Sequence, residues 1–210
     1  MAKRYFFFMY PSQSEVRSLL NMAVFCLDPN EKWPAHITVA GPYQTRPKVK
    51  GLFNGEATAF ALGCGNFFRE GLSTVYLKVG VQNIWSVWRK PDFLGNPVPH
   101  LSLYNGKDRQ YAEKIFTQAM SINPYFSFRS SGLSLVSSIS GQQGTVLREQ
   151  IDTKILDRTA NMKIDEIRDL NSDERLELAM LCLAKLKLSA NSKRPLNNEF
   201  VLGQSITKSI

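Results

Sequence analysis

The sequence predicts an α+β fold made of two similar half-domains and a C-terminal helical extension. One observation is that a strand-like segment, a helix-like segment, a proline and a histidine-bearing strand follow one another twice along the chain. A second is that the strand-like segments alternate in character or are rich in aromatic and β-branched residues. A third is that apolar residues recur with helical spacing after residue 157. This order is typical of an internal duplication followed by a helical segment.

The first half-domain begins with the aromatic segment YFFFMY, which has the length of a strand and ends at Pro11. Ser12 and Glu15 have the spacing of a capping box, so we expect a helix from there to about Cys26. The segment WPAHITVAGPY follows and predicts a short strand.

The second half-domain repeats this order. STVYLKVG predicts a strand, a helix is expected from about Asn83 to Lys90, and GNPVPHLSLYNG predicts another strand. A further helix is expected from about Asp108 to Met120, before strand-like sequence at SFRSSGLSLVSS and GTVLREQI. We therefore place the main domain, called the body below, at residues 1–152.

The remaining chain predicts helices and then a flexible tail. Residues 153–190 form the predicted helical extension, in which Ser172 caps a leucine-rich helix that reaches about Leu188. Residues 191–210 are polar and lack periodicity. The leucine-rich helix can pack on the body, bind a partner or form a dimer contact, and the sequence does not fix the oligomeric state.

Composition and charge favour a soluble protein with an anionic partner. Residues 1–150 carry 16 Lys and Arg against 9 Asp and Glu, a net charge of +7, and residues 151–210 carry 10 against 9, a net charge of +1. A basic body attracts phosphate groups. The sequence shows no signal-peptide pattern and no long apolar run, so we expect a cytoplasmic protein without membrane contact.

Cysteine and histidine usage argues against a disulfide framework and a metal site. Cys26, Cys64 and Cys182 lie far apart without CxxC spacing, so we interpret them as buried apolar residues. With two histidines in the chain and no run of carboxylates, we expect neither a metal ion nor a cofactor.

Both histidines occur in the same local pattern. His36 begins His-Ile-Thr-Val and His100 begins His-Leu-Ser-Leu, so the two motifs match and lie 64 residues apart. Residues two apart on a strand project to the same face, so each histidine and its hydroxyl residue, Thr38 or Ser102, point the same way. We expect the two pairs to oppose each other across a cleft between the half-domains.

Two imidazoles around a phosphate are suited to acid–base hydrolysis. A neutral imidazole can take a proton from attacking water while a protonated one donates a proton to the departing oxygen. The two hydroxyls can bind the nonbridging oxygens. We therefore interpret His36, His100, Thr38 and Ser102 as the catalytic residues of a phosphoesterase.

The paired motifs in a basic α+β body resemble the two-histidine (2H) phosphoesterase superfamily, which includes LigT-like RNA cyclic phosphodiesterases. The resemblance covers roughly residues 4–150 and implies a bilobal, pseudo-twofold body of two antiparallel β-sheets flanked by helices around a central cleft. It also implies metal-independent hydrolysis of a cyclic (2′,3′- or related) or 2′-5′ phosphodiester of a nucleotide or oligonucleotide, RNA ends included. The family pattern makes His100 the base and His36 the acid, although the sequence itself does not order the two roles.

Aromatic and cationic residues near the motifs are candidates for substrate binding. Aromatic side chains can stack on a nucleobase, and cations can offset charge in the transition state. The aromatic candidates are Phe8, Tyr10, Trp33, Tyr43 and Tyr104, and the cationic candidates are Lys107 and Arg109, with Arg46 as a further choice.

Two other functions remain open from the sequence. The same basic body can serve as a noncatalytic RNA- or nucleotide-binding module, and the charged helical extension can recruit a partner protein. The substrate, its length and its base are likewise open.

Overall fold

The computed structural model describes residues 3–48, 55–82, 84, 99–138 and 147–189. Within them the strands are β1 (Arg4–Met9), β2 (Ile37–Tyr43), β3 (Ala57–Arg69), β4 (Leu72–Val81), β5 (His100–Gly106), β6 (Tyr125–Ser130) and β7 (Ser134–Ser138). The helices are α1 (Ser14–Leu27), α2 (Arg109–Ile122), α3 (Ile164–Asp169) and α4 (Ser172–Ser189). Short 3-10 turns occupy Leu147–Gln150, Thr153–Ile155 and Asp157–Thr159. The α+β class is confirmed.

The described strands form one antiparallel sheet in the order β6-β3-β4-β5-β2-β1-β7. The expectation of two sheets is wrong, because β2 and β5 pair directly, with Ile37 opposite Leu101 and Thr38 opposite His100. This pairing joins the half-sheet β7-β1-β2 to the half-sheet β5-β4-β3-β6, and it satisfies backbone groups that two edges would otherwise expose. The two motif strands are therefore neighbours at the centre of the sheet.

One face of the sheet carries the core. Ile37, Val39, Leu101 and Leu103 are at most 1% exposed, and they belong to one apolar cluster with residues of α1, α2 and α4. Every residue of α1 from Leu19 to Leu27 is buried, because the helix contacts both β5 and α4. Since side chains alternate along a strand, the motif histidines and hydroxyls are directed to the opposite face.

The start of α1 differs from the prediction. The helix begins at Ser14 after Gln13, whose side chain makes no capping bond. The Ser12 hydroxyl is buried without a hydrogen-bond partner among the described residues. The predicted capping box is therefore wrong, and α1 depends for its stability on the packing of its buried residues.

The start of α4 is at Ser172, but its cap is the preceding residue. The Asn171 side chain accepts hydrogen bonds from the N–H groups of Asp173, at 2.9 Å, and Glu174, at 3.0 Å. The Glu174 carboxylate accepts one from the Asn171 N–H, at 3.1 Å. This reciprocal pair is a capping box one residue earlier than predicted.

Two further segments bear on the predictions. In the strand-like sequence GTVLREQI, the described residues Leu147–Gln150 form a 3-10 turn and not a strand. Leu147 is buried in the core, and its N–H donates to the Lys32 carbonyl, at 2.9 Å. The helix predicted from Asn83 to Lys90 lies outside the described residues except for Ile84, which is helical and buried.

The helical extension shares the core of the body. Leu176, Leu183 and Leu186 of α4 are at most 1% exposed and lie in the same cluster as the sheet residues. The three cysteines are buried and free, as predicted. The predicted tail, residues 191–210, lies outside the described part of the chain.

Candidate active site

The two histidine motifs occupy neighbouring positions on the face of the sheet opposite the core. Thr38 lies directly opposite His100 on β5, and the neighbouring residues Ile37 and Leu101 are paired in the same antiparallel register. Opposed residues on antiparallel strands have Cα atoms about 4.5–5.5 Å apart. Thr38 of one motif is therefore the cross-strand neighbour of His100 of the other, and His36 immediately precedes β2. The motifs lie side by side in one sheet and not on opposite sides of a cleft between half-domains.

An aromatic residue from the outer neighbouring strand contacts each histidine. Phe8 on β1 lies beside the His36 ring, with a centroid distance of 3.8 Å and an interplanar angle of 33°. Tyr76 on β4 meets the His100 ring edge-on, at 5.6 Å and 66°. Both aromatic residues pair with the hydroxyl residue of the adjacent motif. They therefore occupy equivalent positions in the two halves of the site.

The positions beside the histidines differ between the two halves. On β4, Lys78 lies directly opposite His100. On the other side, the Tyr10 ring lies 6.3 Å from the His36 ring. Tyr76 and Lys78 were not predicted from the sequence. The alternation within TVYLK places both on one strand face, but which strand flanks each motif is a tertiary property.

A cavity of about 280 Å³ lies over the four motif residues. Its floor contains both histidines and both hydroxyl residues, so the structure brings together the four catalytic residues predicted from the sequence. The lining residues are Phe6, Phe8, Val24, Asp28, Glu31, Trp33, Pro34, Ala35, His36, Thr38, Gly41, Pro42, His100, Ser102, Leu103, Tyr104, Asn105 and Val136.

His36 is oriented by the backbone next to it. Its Nδ1 lies 2.8 Å from the Pro34 carbonyl oxygen, and because a carbonyl can only accept, Nδ1 carries the proton and donates it. Nε2 of the neutral ring is then the nitrogen with a lone pair. The adjoining Ala35 N–H donates to the buried Asn21 side chain, at 2.8 Å, so α1 helps to position the motif.

The surroundings of His36 keep its ring neutral. Burial lowers its pKa to about 4, although the hydrogen bond to Pro34 acts in the opposite direction, and the charge of His100 lowers the pKa further. At neutral pH, His36 is therefore a proton acceptor.

Thr38 is a buried polar residue that lines the cavity. It is 8% exposed, and a threonine hydroxyl can donate a hydrogen bond to a ligand. Ser102, which is half-buried, lines the same cavity.

The predicted aromatic residues occupy different places. Phe8 and Tyr104 line the cavity, but the Tyr104 ring packs edge-on against Tyr111 of α2, at 5.5 Å. Tyr10 lines a second, smaller cavity next to Trp33. Tyr43 does not line either cavity; its ring meets the buried Phe7 edge-on, at 6.2 Å.

The predicted cations lie outside the cavity. Lys107 and Arg46 are exposed and do not line it. Arg109 donates to Glu113 at 2.6 Å, and its guanidinium lies over the Phe68 ring, 4.1 Å from the centroid. These residues follow their motifs in sequence, but they lie beyond the part of each strand that lines the cavity. Among the described Lys and Arg residues, Lys78 lies opposite a motif histidine in the strand register: its partner on β5 is His100.

Two acidic residues, Asp28 and Glu31, line the cavity on the side of His36. They were not predicted from the sequence, because they lie in the loop before β2 and not in a motif. The described lining residues include no Lys or Arg.

Comparison of the chain with family models, with curated proteins and with solved structures gave no match. No described helix combines the length and apolar character needed to cross a membrane. Among the described residues, no group of three or more His, Cys, Asp or Glu side chains is arranged to hold a metal ion. The two-histidine resemblance stays a prediction from the motifs.

Proposed function

We propose that this protein is a phosphodiesterase of the two-histidine kind, which hydrolyses a cyclic (2′,3′- or related) or 2′-5′ phosphodiester of a nucleotide or oligonucleotide. The observation that carries the proposal is the placement of His36, His100, Thr38 and Ser102 on the floor of one cavity. Two imidazoles and two hydroxyls within one sheet face are the groups that metal-independent hydrolysis of a phosphodiester uses.

The proposed roles begin with His36. Its neutral Nε2 removes a proton from water as the water oxygen attacks phosphorus. Thr38 and Ser102 donate hydrogen bonds to the nonbridging oxygens, and Lys78 adds positive charge beside His100. The bond from phosphorus to the ester oxygen breaks, and the protonated ring of His100 gives that oxygen its proton. The products are a phosphomonoester and a free hydroxyl.

This order of roles is the reverse of the one that the family pattern implies, which makes His36 the acid. The low pKa of His36 and its donated Nδ1–H favour the base role in the free protein, because a ring that is neutral at neutral pH has no proton on Nε2 to give. The roles exchange when the reaction runs in reverse.

The experiment is hydrolysis of 2′,3′-cyclic nucleotides, 2′-5′ oligoadenylate and cyclic dinucleotides in the presence of a chelator. The variants are His36→Ala, His100→Ala and Thr38→Ala, with Thr117→Ala on the exposed face of α2 as the matched control. We expect each histidine variant to lose about 10²–10⁴-fold in kcat/KM and the control to behave as wild type.

Other outcomes separate the remaining functions. Wild-type activity that disappears in chelator contradicts the metal-independent mechanism. Nucleotide binding without product, retained in both histidine variants, supports the noncatalytic binding module instead.

A further inference from the structure

The wall of the cavity beside His36 is acidic. The loop between α1 and β2, residues 28–35, contributes Asp28, Glu31 and Trp33 to the lining. Both residues are half-buried. Anionic groups next to a bound phosphodiester repel it, so their presence here indicates that the substrate offers hydrogen-bond donors at this end of the cavity.

Backbone N–H groups hold both carboxylates in place. Asp28 Oδ1 accepts from the Asn30 N–H, at 3.1 Å, and Glu31 Oε1 accepts from the N–H groups of Lys32, at 2.7 Å, and Trp33, at 2.9 Å. No described Lys or Arg forms an ion pair with either carboxylate. A carboxylate accepts about four hydrogen bonds, so both retain acceptor capacity for a ligand.

Guanine is the nucleobase whose edge suits such acceptors. Its Watson–Crick edge presents two adjacent donors, N1–H and the N2 amino group. Adenine and cytosine present a donor beside an acceptor, and uracil presents one donor between two carbonyls, so a carboxylate meets an unfavourable oxygen or nitrogen in each. Trp33 and Phe8, in edge-on contact at 6.1 Å, supply aromatic surface for stacking the base.

We infer that the cavity selects a guanine nucleotide, with Asp28 and Glu31 as specificity-determining residues. The inference rests on the proposed function, in which the phosphodiester lies over the four motif residues and the base lies on the loop beside His36. The cavity of about 280 Å³ is near the lower limit of small-ligand pockets, which suits one nucleotide. Lys78, the strand partner of His100 on the other side, is exposed and lies outside the lining.

The experiment compares 2′,3′-cyclic monophosphates of guanosine, inosine, adenosine, cytidine and uridine with wild type, Asp28→Asn and Glu31→Gln. Both substitutions keep one side-chain oxygen for the backbone N–H groups. Glu70→Gln, in the exposed turn between β3 and β4, is the matched control. Loss of one hydrogen bond to a charged group is expected to lower kcat/KM by about tenfold or more.

We expect wild type to favour guanosine by about tenfold over adenosine, cytidine and uridine, with inosine, which lacks the N2 amino group, in between. Asp28→Asn and Glu31→Gln should lower kcat/KM for guanosine without lowering it for adenosine, while Glu70→Gln keeps the preference. Equal turnover of the four bases by wild type would overturn the inference and leave the proposed function intact.

If neither these cyclic monophosphates nor the 2′-5′ oligoadenylate and cyclic dinucleotides named above are turned over, the proposed function fails, and calorimetric binding of guanosine 3′-monophosphate and adenosine 3′-monophosphate then tests the inference. Tighter binding of guanosine that is lost in Asp28→Asn and Glu31→Gln supports it. Equal affinities for the two nucleotides contradict it.

Discussion

At the scale of single residues, the surroundings of His36 decide its chemistry. The ring lies against Phe8, its Nδ1 donates to Pro34, and burial lowers its pKa to about 4. An exposed histidine is partly protonated near neutral pH. The same side chain, held in this way, is a neutral acceptor, and this difference is the basis for the base role that we propose.

The low pKa of His36 predicts a pH dependence of stability. The ordinary pKa is 6.5 and the folded value is about 4, so between these values the unfolded chain binds a proton that the folded chain does not. Acid therefore favours unfolding: the effect starts as the pH falls below 6.5 and is complete below about 4. It amounts to about 3 kcal/mol in the free energy of unfolding.

Denaturant unfolding of wild type and His36→Gln over this pH range measures the effect. Carboxylates contribute equally to both proteins, so the wild-type free energy of unfolding should fall by about 3 kcal/mol more than that of the variant. Parallel pH curves for the two proteins would show that His36 titrates normally in the folded state.

At the scale of secondary-structure elements, period-two alternation predicted the motif strands and the side-chain pairs on one face of each. It did not predict that β2 and β5 are neighbours, nor that β1 and β4 bring Phe8 and Tyr76 to equivalent positions. Strand order depends on contacts between segments far apart in sequence, and a single strand carries no record of its partner.

Helix capping gives a prediction at this scale. Asn171, and not Ser172, accepts the N–H bonds at the start of α4. Asn171→Ala should therefore lower the free energy of unfolding by about 1 kcal/mol. Among the described residues, the Ser172 side chain makes no hydrogen bond that Ser172→Ala would remove. Chemical denaturation should therefore give this variant a free energy of unfolding within about 0.5 kcal/mol of wild type. A larger loss of stability for Ser172→Ala would mean that Ser172 is the cap, as the sequence predicted.

At the scale of the whole molecule, α4 belongs to the same core as the sheet. Leu183 is fully buried in that core, whereas Leu188, near the end of the helix, is 83% exposed. Leu183→Ala should destabilise the protein by about 2–5 kcal/mol, and Leu188→Ala by no more than about 0.5 kcal/mol.

Denaturation followed by tryptophan fluorescence and by circular dichroism tests how α4 is coupled to the body. All three tryptophans of the chain precede residue 153, so fluorescence reports on the body. Coincident transitions, shifted together by Leu183→Ala, are expected for one cooperative unit. A separate early transition in circular dichroism alone would mean that the extension unfolds by itself.

The charge of the residues that line the cavity differs in sign from the net charge of the whole chain. The chain has a net charge of +8, yet the described lining of the cavity includes Asp28 and Glu31 and no Lys or Arg. The positive charge can attract an anionic substrate over a distance, whereas the two carboxylates act on the part of the substrate that reaches them.

The sequence by itself determined the α+β class, the buried cysteines and the four motif residues, because these follow from local periodicity and from a repeated pattern. The tertiary structure decided that the half-sheets join through β2 and β5, that Tyr76 and Lys78 flank His100, and that Asp28 and Glu31 face the cavity. The physical reason is the separation along the chain of the residues that decide each property. Alternation and capping depend on neighbours in the chain, whereas strand partners, burial and the pKa of His36 depend on segments that only folding brings together.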